Sequence, residues 1–151
     1  MPIDEADFEH LLALRTGLRR FLRWSEHQAL AAGLTPAQHQ LLLAVRGHAD
    51  PAGPTVGEIA DYLVLRHHSA VGLIDRAVRD GLVRRVPDEN TRSMVRVTLT
   101  PTGRAKLDAL AETHLRELAH LAPTMRALWD TVDGDGHVPA ADAFGTRGRA
   151  K

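Results

Sequence analysis

The sequence predicts a mainly α chain carrying one small β-hairpin, and three observations point there. Two long stretches, one towards each end, repeat apolar residues at three- and four-residue spacing, the period of an α-helix. Between residues 82 and 99 the period drops to two, and β-branched residues alternate with arginine, as in paired strands. Threonine stands at helix-capping positions at Thr35, Thr55 and Thr100. With 151 residues, 44% hydrophobic and 25% charged, the chain has the makeup of one folded core with extended helical arms.

The first helix is expected from about Asp4 to Ala32. Phe8, Leu11, Leu12, Leu14, Leu18, Phe21, Leu22, Trp24 and Leu30 cover more than one of its faces. One small lobe cannot bury that much apolar surface, so a partner chain is expected to cover the remainder. Gly33, tolerant of positive φ, stops the helix. Thr35-Pro36-Ala37-Gln38 then forms a capping box with proline at the first helical position, and the second helix runs through Leu41, Leu42 and Val45 to Gly47. Residues 47–54 (GHADPAGP) read as a loop. A second capping box, Thr55-Val56-Gly57-Glu58, opens a third helix with Ile59, Ala60 and Leu63 facing inward.

A short turn at residues 64–66 leads to a fourth helix, about His67 to Asp80, with the stripe Ala70, Leu73, Ile74 and Ala77 and a stop at Gly81. Two short helices joined so tightly form a helix-turn-helix. Strands Leu82–Val86 and Met94–Leu99 follow, joined by the polar tip Pro87–Ser93, and a hairpin placed there is a wing. Thr100-Pro101 starts a final helical region carrying Leu107, Leu110, Ala111, Leu115, Leu118, Leu121, Met125, Leu128 and Trp129, which Pro123 is expected to break in two. Beyond Asp133 the periodicity is lost. The expected organisation is a winged helix-turn-helix with terminal dimerisation helices: an N-terminal dimerisation helix over 4–33, the winged lobe over 34–100, C-terminal dimerisation helices over 101–132 and a disordered tail over 133–151.

Composition narrows the function. Without cysteine there are no disulfides, thiolate zinc sites or thiol redox sensing. No stretch approaches the ~20 apolar residues of a membrane helix, and the acidic start is unlike a signal peptide, so no membrane and a cytoplasmic location are expected. Aromatic residues, at 4%, are too few for a stacking platform. Net charge is zero, but from Arg66 to Arg96 seven arginines face four acids, while residues 1–65 hold five arginines against eight acids. Phosphate neutralisation happens at the contact face, so the local excess is what matters.

Nine histidines raise the question of a metal. His67 and His68 are adjacent and diverge by about 100° on a helix. His10, His27, His39, His114 and His120 are scattered, so neither a metal nor a cofactor is expected. Ser69 beside His68 hints at nucleophilic chemistry, but consecutive side chains point apart and no carboxylate is spaced to orient them, so no enzyme is expected.

The order helix, helix, helix-turn-helix, wing, helix resembles the MarR (multiple antibiotic resistance regulator) family. The likeness is carried by Leu34-Thr35-Pro36-Ala37-Gln38, Ile59-Ala60, Asp75-Arg76, Gly81-Leu82-Val83-Arg84-Arg85 and Leu99-Thr100-Pro101-Thr102-Gly103. It implies an obligate homodimer with interlocking terminal helices. The implied function is a transcriptional regulator, most often a ligand-responsive repressor, on an inverted-repeat operator in double-stranded DNA. It further implies a small aromatic or lipophilic effector where the dimer helices meet the DNA-binding lobe, with Arg15, Arg19, Trp24 and His39 as linings by position alone. For Trp24, packing between helices is the stronger competing account. Family members usually carry an aspartate and an arginine two residues apart at the wing tip. Counting back from Leu99-Thr100 puts Thr91 and Ser93 there, with Arg92 between them.

With the stripe of the fourth helix facing the core, a 100° step per residue places His68, Ser69 and Gly72 on the opposite side, in the turns that reach base edges. Arg66 and His67 flank the turn and suit phosphate. Arg76 either joins this outer face or pairs internally, with Asp75 or a neighbouring helix. Gly72 costs about 1 kcal/mol against alanine inside a helix, so either DNA or a neighbouring helix must come close there. Arg92 suits a narrow minor groove, whose negative potential attracts arginine, and Arg84, Arg85 and Arg96 suit phosphate contacts or a charged sheet face. A competing reading is a winged-helix protein-interaction module that no longer reads DNA sequence, and the basic stretch from Arg66 to Arg96 argues against it.

Overall fold

A computed structural model of the chain describes residues 3–132. In order these form α1 (Glu5–Ala31), α2 (Pro36–Gly47), α3 (Val56–Leu63), α4 (His67–Arg79), β1 (Val83–Pro87), β2 (Val95–Leu99) and α5 (Pro101–Val132). The expected tail at 133–151 lies outside the described residues. The described chain divides into two compact units, residues 22–117 and the helical ends 3–21 with 118–132.

The larger unit is built on Leu34, Leu41, Leu42, Ile59, Ile74, Val83 and Val97, all fully buried, each stabilising the fold by roughly 1.5–3 kcal/mol on area arguments. Local signals set the entry of each helix into this core. At α2 the capping box closes as expected: Thr35 Oγ1 accepts from the Gln38 amide at 3.1 Å, and Gln38 Oε1 accepts from the Thr35 amide at 3.0 Å. The same Gln38 side chain donates from Nε2 to Asp80 Oδ2 at 2.7 Å, fastening the start of α2 to the end of α4.

The second capping box forms only by half. Thr55 Oγ1 accepts from the Glu58 amide at 3.3 Å, but the Glu58 carboxylate takes the Thr55 hydroxyl at 3.2 Å and His48 Nε2 at 2.8 Å instead of reaching back to the Thr55 amide. The backbone of Thr55 pairs across to Arg96 of β2, and the Val97 amide donates to the Pro54 carbonyl at 2.9 Å. The loop before α3 thus lies along the wing. Gly53 makes this approach possible, having φ of +92° and room for no Cβ, which would sit 2.2 Å from the Val97 carbonyl oxygen.

Between α3 and α4 the chain turns through Val64, which is left-handed (φ 53°, ψ 46°) with its amide directed at the Ala60 and Asp61 carbonyls. A β-branched residue there is unusual, and its side chain is 90% exposed. β1 and β2 pair antiparallel from Val83↔Leu99 to Pro87↔Val95. Thr100 then caps α5, its Oγ1 accepting from the Gly103 amide at 3.0 Å and donating to the Gly81 carbonyl at 2.6 Å.

One expectation about this region is corrected. α5 is not broken at Pro123 but continues through it. The proline forfeits one backbone hydrogen bond, and the turns around it are made by alanine, leucine, methionine and arginine, which favour the helix.

Candidate nucleic-acid interface

The buried stripe of α4 is the one expected, Ala70, Leu73, Ile74 and Ala77, and it fixes which face looks outward. His67 and His68 are exposed, and Ser69 and Gly72 are half-buried. Arg66 occupies the N-cap position with extended backbone (φ −69°, ψ 151°) and offers no side-chain cap. Unlike α2 and α3, α4 therefore has no side-chain cap: the Ser69 amide turns back to the Arg66 carbonyl at 3.0 Å, and the dipole at this helix end favours an anion.

At Gly72, an added Cβ would meet only Arg76 Nη1, at 3.4 Å. Close packing of a neighbouring helix, one of the two accounts of this glycine, has no partner among the described residues. Arg76 does not pair with Asp75, whose carboxylate is taken by Arg85 Nη2. Among the described residues, Arg66, Arg76, Arg79, Arg84 and Arg92 have no acid partner. Arg85 and Arg96 do have partners, which makes them sheet-face charges rather than free phosphate ligands. The unpaired arginines lie at the start of α4, along its outer side, on β1 and at the wing tip.

The wing tip is closed by its backbone: the Asp88 amide donates to the Met94 carbonyl at 2.9 Å, and the Met94 amide to the Thr91 carbonyl at 3.0 Å. Arg92 is exposed at this tip. The Arg96 side chain beside Asp88, joined by the Asn90 and Thr91 amides, holds the Asp88 carboxyl below the usual carboxylate range.

Sequence reading did not find a second cluster, which gathers around His114. Its Nδ1 lies 2.7 Å from the Leu110 carbonyl, which can only accept, so this nitrogen carries a hydrogen. Nε2 lies 2.7 Å from Ser25 Oγ and accepts from it in the neutral ring. The Trp24 and His39 rings stand 4.9 and 4.8 Å from that of His114. His39 is 7% exposed, and burial, helped by the neighbouring His114, holds its pKa below the ordinary value. Of the four candidate effector-lining residues, Trp24 and His39 thus meet at His114. Arg15 and Arg19 are exposed on the stretch of α1 that belongs to the smaller unit. Ser25 and His114 are 89 residues apart, and the only local signal was His114 four residues past Leu110 on the buried face of α5.

Among the described residues, no group of three or more His, Cys, Asp or Glu side chains is placed to hold a metal ion. Nor is any described helix long and apolar enough to cross a membrane.

The sequence pattern of the MarR family matches residues 32–92, from the end of α1 through α4 to the wing tip. Over these 61 of its 151 residues the chain is similar to the MarR family. It is 37% identical over 105 residues to the transcriptional activatory protein BadR of Rhodopseudomonas palustris, an alignment covering 70% of this chain and 54% of that protein. The chain thus spans about half the length of this relative. In three dimensions it resembles a MarR family protein from Bacillus stearothermophilus, with 28% identity, a TM-score of 0.66, and 80% of this chain and 82% of that one covered. It also shares its fold with a mutant MarR from E. coli complexed with operator DNA, at 24% identity and a TM-score of 0.60, covering 78% and 89% of the two chains. The MarR winged helix-turn-helix is therefore the architecture of the larger unit, with β1 and β2 as its wing.

Proposed function

We propose that the chain is a DNA-binding transcriptional regulator that acts as a homodimer on an inverted repeat in double-stranded DNA. The observation that carries this reading is the set of arginines without an acid partner among the described residues: Arg66 at the N-cap of α4, Arg76 and Arg79 in its last turn, Arg84 on β1 and Arg92 at the wing tip. In this reading His68, Ser69 and Gly72 face base edges in the major groove, Arg66, His67 and Arg76 meet phosphate, and Arg92 enters the minor groove. Apolar residues left exposed on the long helices, among them Phe8, Leu11, Leu12, Leu22 and Leu115, support the dimer, since such surface marks an interaction site. Dimerisation belongs to 4–33 and 101–132, and DNA binding to 34–100.

The Trp24–His39–His114 cluster supports a site for a small aromatic or lipophilic effector, with Ser25 Oγ, whose hydrogen goes to His114 Nε2, left to accept. Repression is the mode proposed. The Rhodopseudomonas relative carries an activator's name, and a reporter gene placed behind a bound fragment gives the sign.

The deciding experiment is binding to a mixed-sequence duplex and to a duplex selected from a random-sequence library, each over a range of salt. The proposed reading expects tighter binding to the selected duplex and a steep loss of affinity with salt, with a slope near −0.9 per phosphate contact. If the folded chain binds neither duplex at low salt, the protein-interaction reading replaces it.

A further inference from the structure

The wing of this chain is held by a brace, and the brace sits directly under the residue proposed to touch DNA. Asp88 uses both carboxylate oxygens. Oδ2 accepts from the Asn90 amide at 3.1 Å and the Thr91 amide at 2.9 Å, shaping the turn that presents Arg92. Oδ1 accepts from Arg96 Nε at 2.6 Å. Arg96 in turn donates from Nη1 to the Gly53 carbonyl at 2.8 Å and lies 3.4 Å from Asp50 Oδ2. The two side chains are 10% and 17% exposed, far more enclosed than the surface pair Arg116–Glu112. Neither group is free to bind phosphate.

The other end of the brace is rooted in the helix-turn-helix. Gly53 packs against the Val97 carbonyl with no space for a side chain, Pro54 accepts from the Val97 amide, and Thr55 both bridges to Arg96 and caps α3. A continuous path of bonds therefore runs from the turn before Arg92 through Asp88 and Arg96 to the loop that starts α3.

We propose that Asp88 and Arg96 are positioning residues for DNA binding: they fix the wing turn against the loop before α3, and so set where Arg92 meets the duplex. This rests on the DNA-binding reading above. It differs from a simple charge account in sign. Removing a carboxylate from a DNA-facing wing lowers the repulsion of phosphate and by itself tightens binding. Loss of a brace weakens binding despite the gain in positive charge. Glu89, adjacent to Asp88, exposed and without an ion-pair partner among the described residues, supplies the control.

The test is a double-mutant cycle on the full chain, using the library-selected duplex and a melting curve for every variant. Arg92→Ala alone should weaken binding about tenfold and lower the salt slope by about 0.9. Asp88→Asn should weaken it by a comparable factor and lower the slope likewise. Adding Arg92→Ala to Asp88→Asn should then change affinity less than about twofold. Arg96→Lys, which keeps the charge but cannot reach both partners, should behave as Asp88→Asn does, and keeps the test open if that variant fails to fold. Glu89→Gln should bind equally or more tightly than the parent. Binding by folded Asp88→Asn at or above parental affinity would overturn the proposal, as would effects of Asp88→Asn and Arg92→Ala that simply multiply. A parent that binds no duplex at all fails the DNA-binding reading itself, a distinguishable result.

Discussion

Gly72 offers the sharpest separation between DNA binding and every other use of α4. In the folded chain its Cβ position is open except for Arg76 Nη1 at 3.4 Å, the far end of a flexible side chain that can move aside. The Cβ of Gly72→Leu therefore meets only a side-chain end that can give way, and the substitution removes most of the ~1 kcal/mol that glycine costs in a helix interior. For a chain of this size that is worth a rise in Tm of roughly 2–4 °C. If DNA occupies the same face, the added side chain collides with it, and Kd should rise at least about tenfold, or about 1.4 kcal/mol. The assay is fluorescence anisotropy with the selected duplex at fixed moderate salt, paired with a melting curve. The expected outcome is opposite movement, a higher Tm and a weaker complex. Unchanged affinity would mean that α4 does not enter a groove, and the reasoning from its exposed first turns would fall with it.

Three further outcomes follow from the geometry. From the exposed apolar residues of α1 and α5 the expected outcome is a dimer at micromolar concentration, and a folded monomer by light scattering would refute this. Val64→Gly should raise Tm by a few degrees, because a left-handed β-branched residue stores about 1–2 kcal/mol and its 90%-exposed side chain contributes little burial; a lower Tm would show that the valine is held by contacts beyond the chain's own. Because the pKa of His39 is held below its ordinary 6.5 by burial and by His114, the unfolded chain takes up this proton first as pH falls. Its contribution to stability is then complete above about pH 6.5 and lost as pH falls from there through the folded-state pKa. His39→Asn should flatten that part of the Tm profile, and an unchanged profile would count against it.

Much of the fold was legible because its determinants are local. Thr35 and Gln38 are three residues apart, and so are Thr100 and Gly103, so the starts of α2 and α5 could be read directly. The stripe Ala70–Leu73–Ile74–Ala77 repeats with the helix and fixed the buried face of α4 before any tertiary contact was known. Reading failed where a local rule met a distant partner. Thr55 and Glu58 have the spacing of a capping box, but His48 draws the carboxylate away and Arg96 engages the Thr55 backbone. Pro123 has the chemistry of a helix breaker, yet the surrounding turns carry α5 past it. Val64 gave no sign of a left-handed turn, since nothing in a valine side chain favours one.

The candidate site divides along the same line. Residues that face outward, His67, His68, Ser69 and Arg92, could be picked out because exposure follows from the period of a helix or the tip of a hairpin. Residues that hold them in place could not. Asp88 and Arg96 looked like two more charges in a charged stretch, and their meaning lies in the Gly53 carbonyl, 43 residues from Arg96 in the chain. Ser25 and His114 are separated further still. A charge count over Arg66–Arg96 treats seven arginines alike, whereas the fold commits Arg85 and Arg96 to carboxylates and leaves five without an acid partner among the described residues. The electrostatic footprint available to DNA is smaller than the composition suggests, and in the proposed reading the placement of its wing-tip arginine depends on Arg96, which the phosphate backbone never needs to touch.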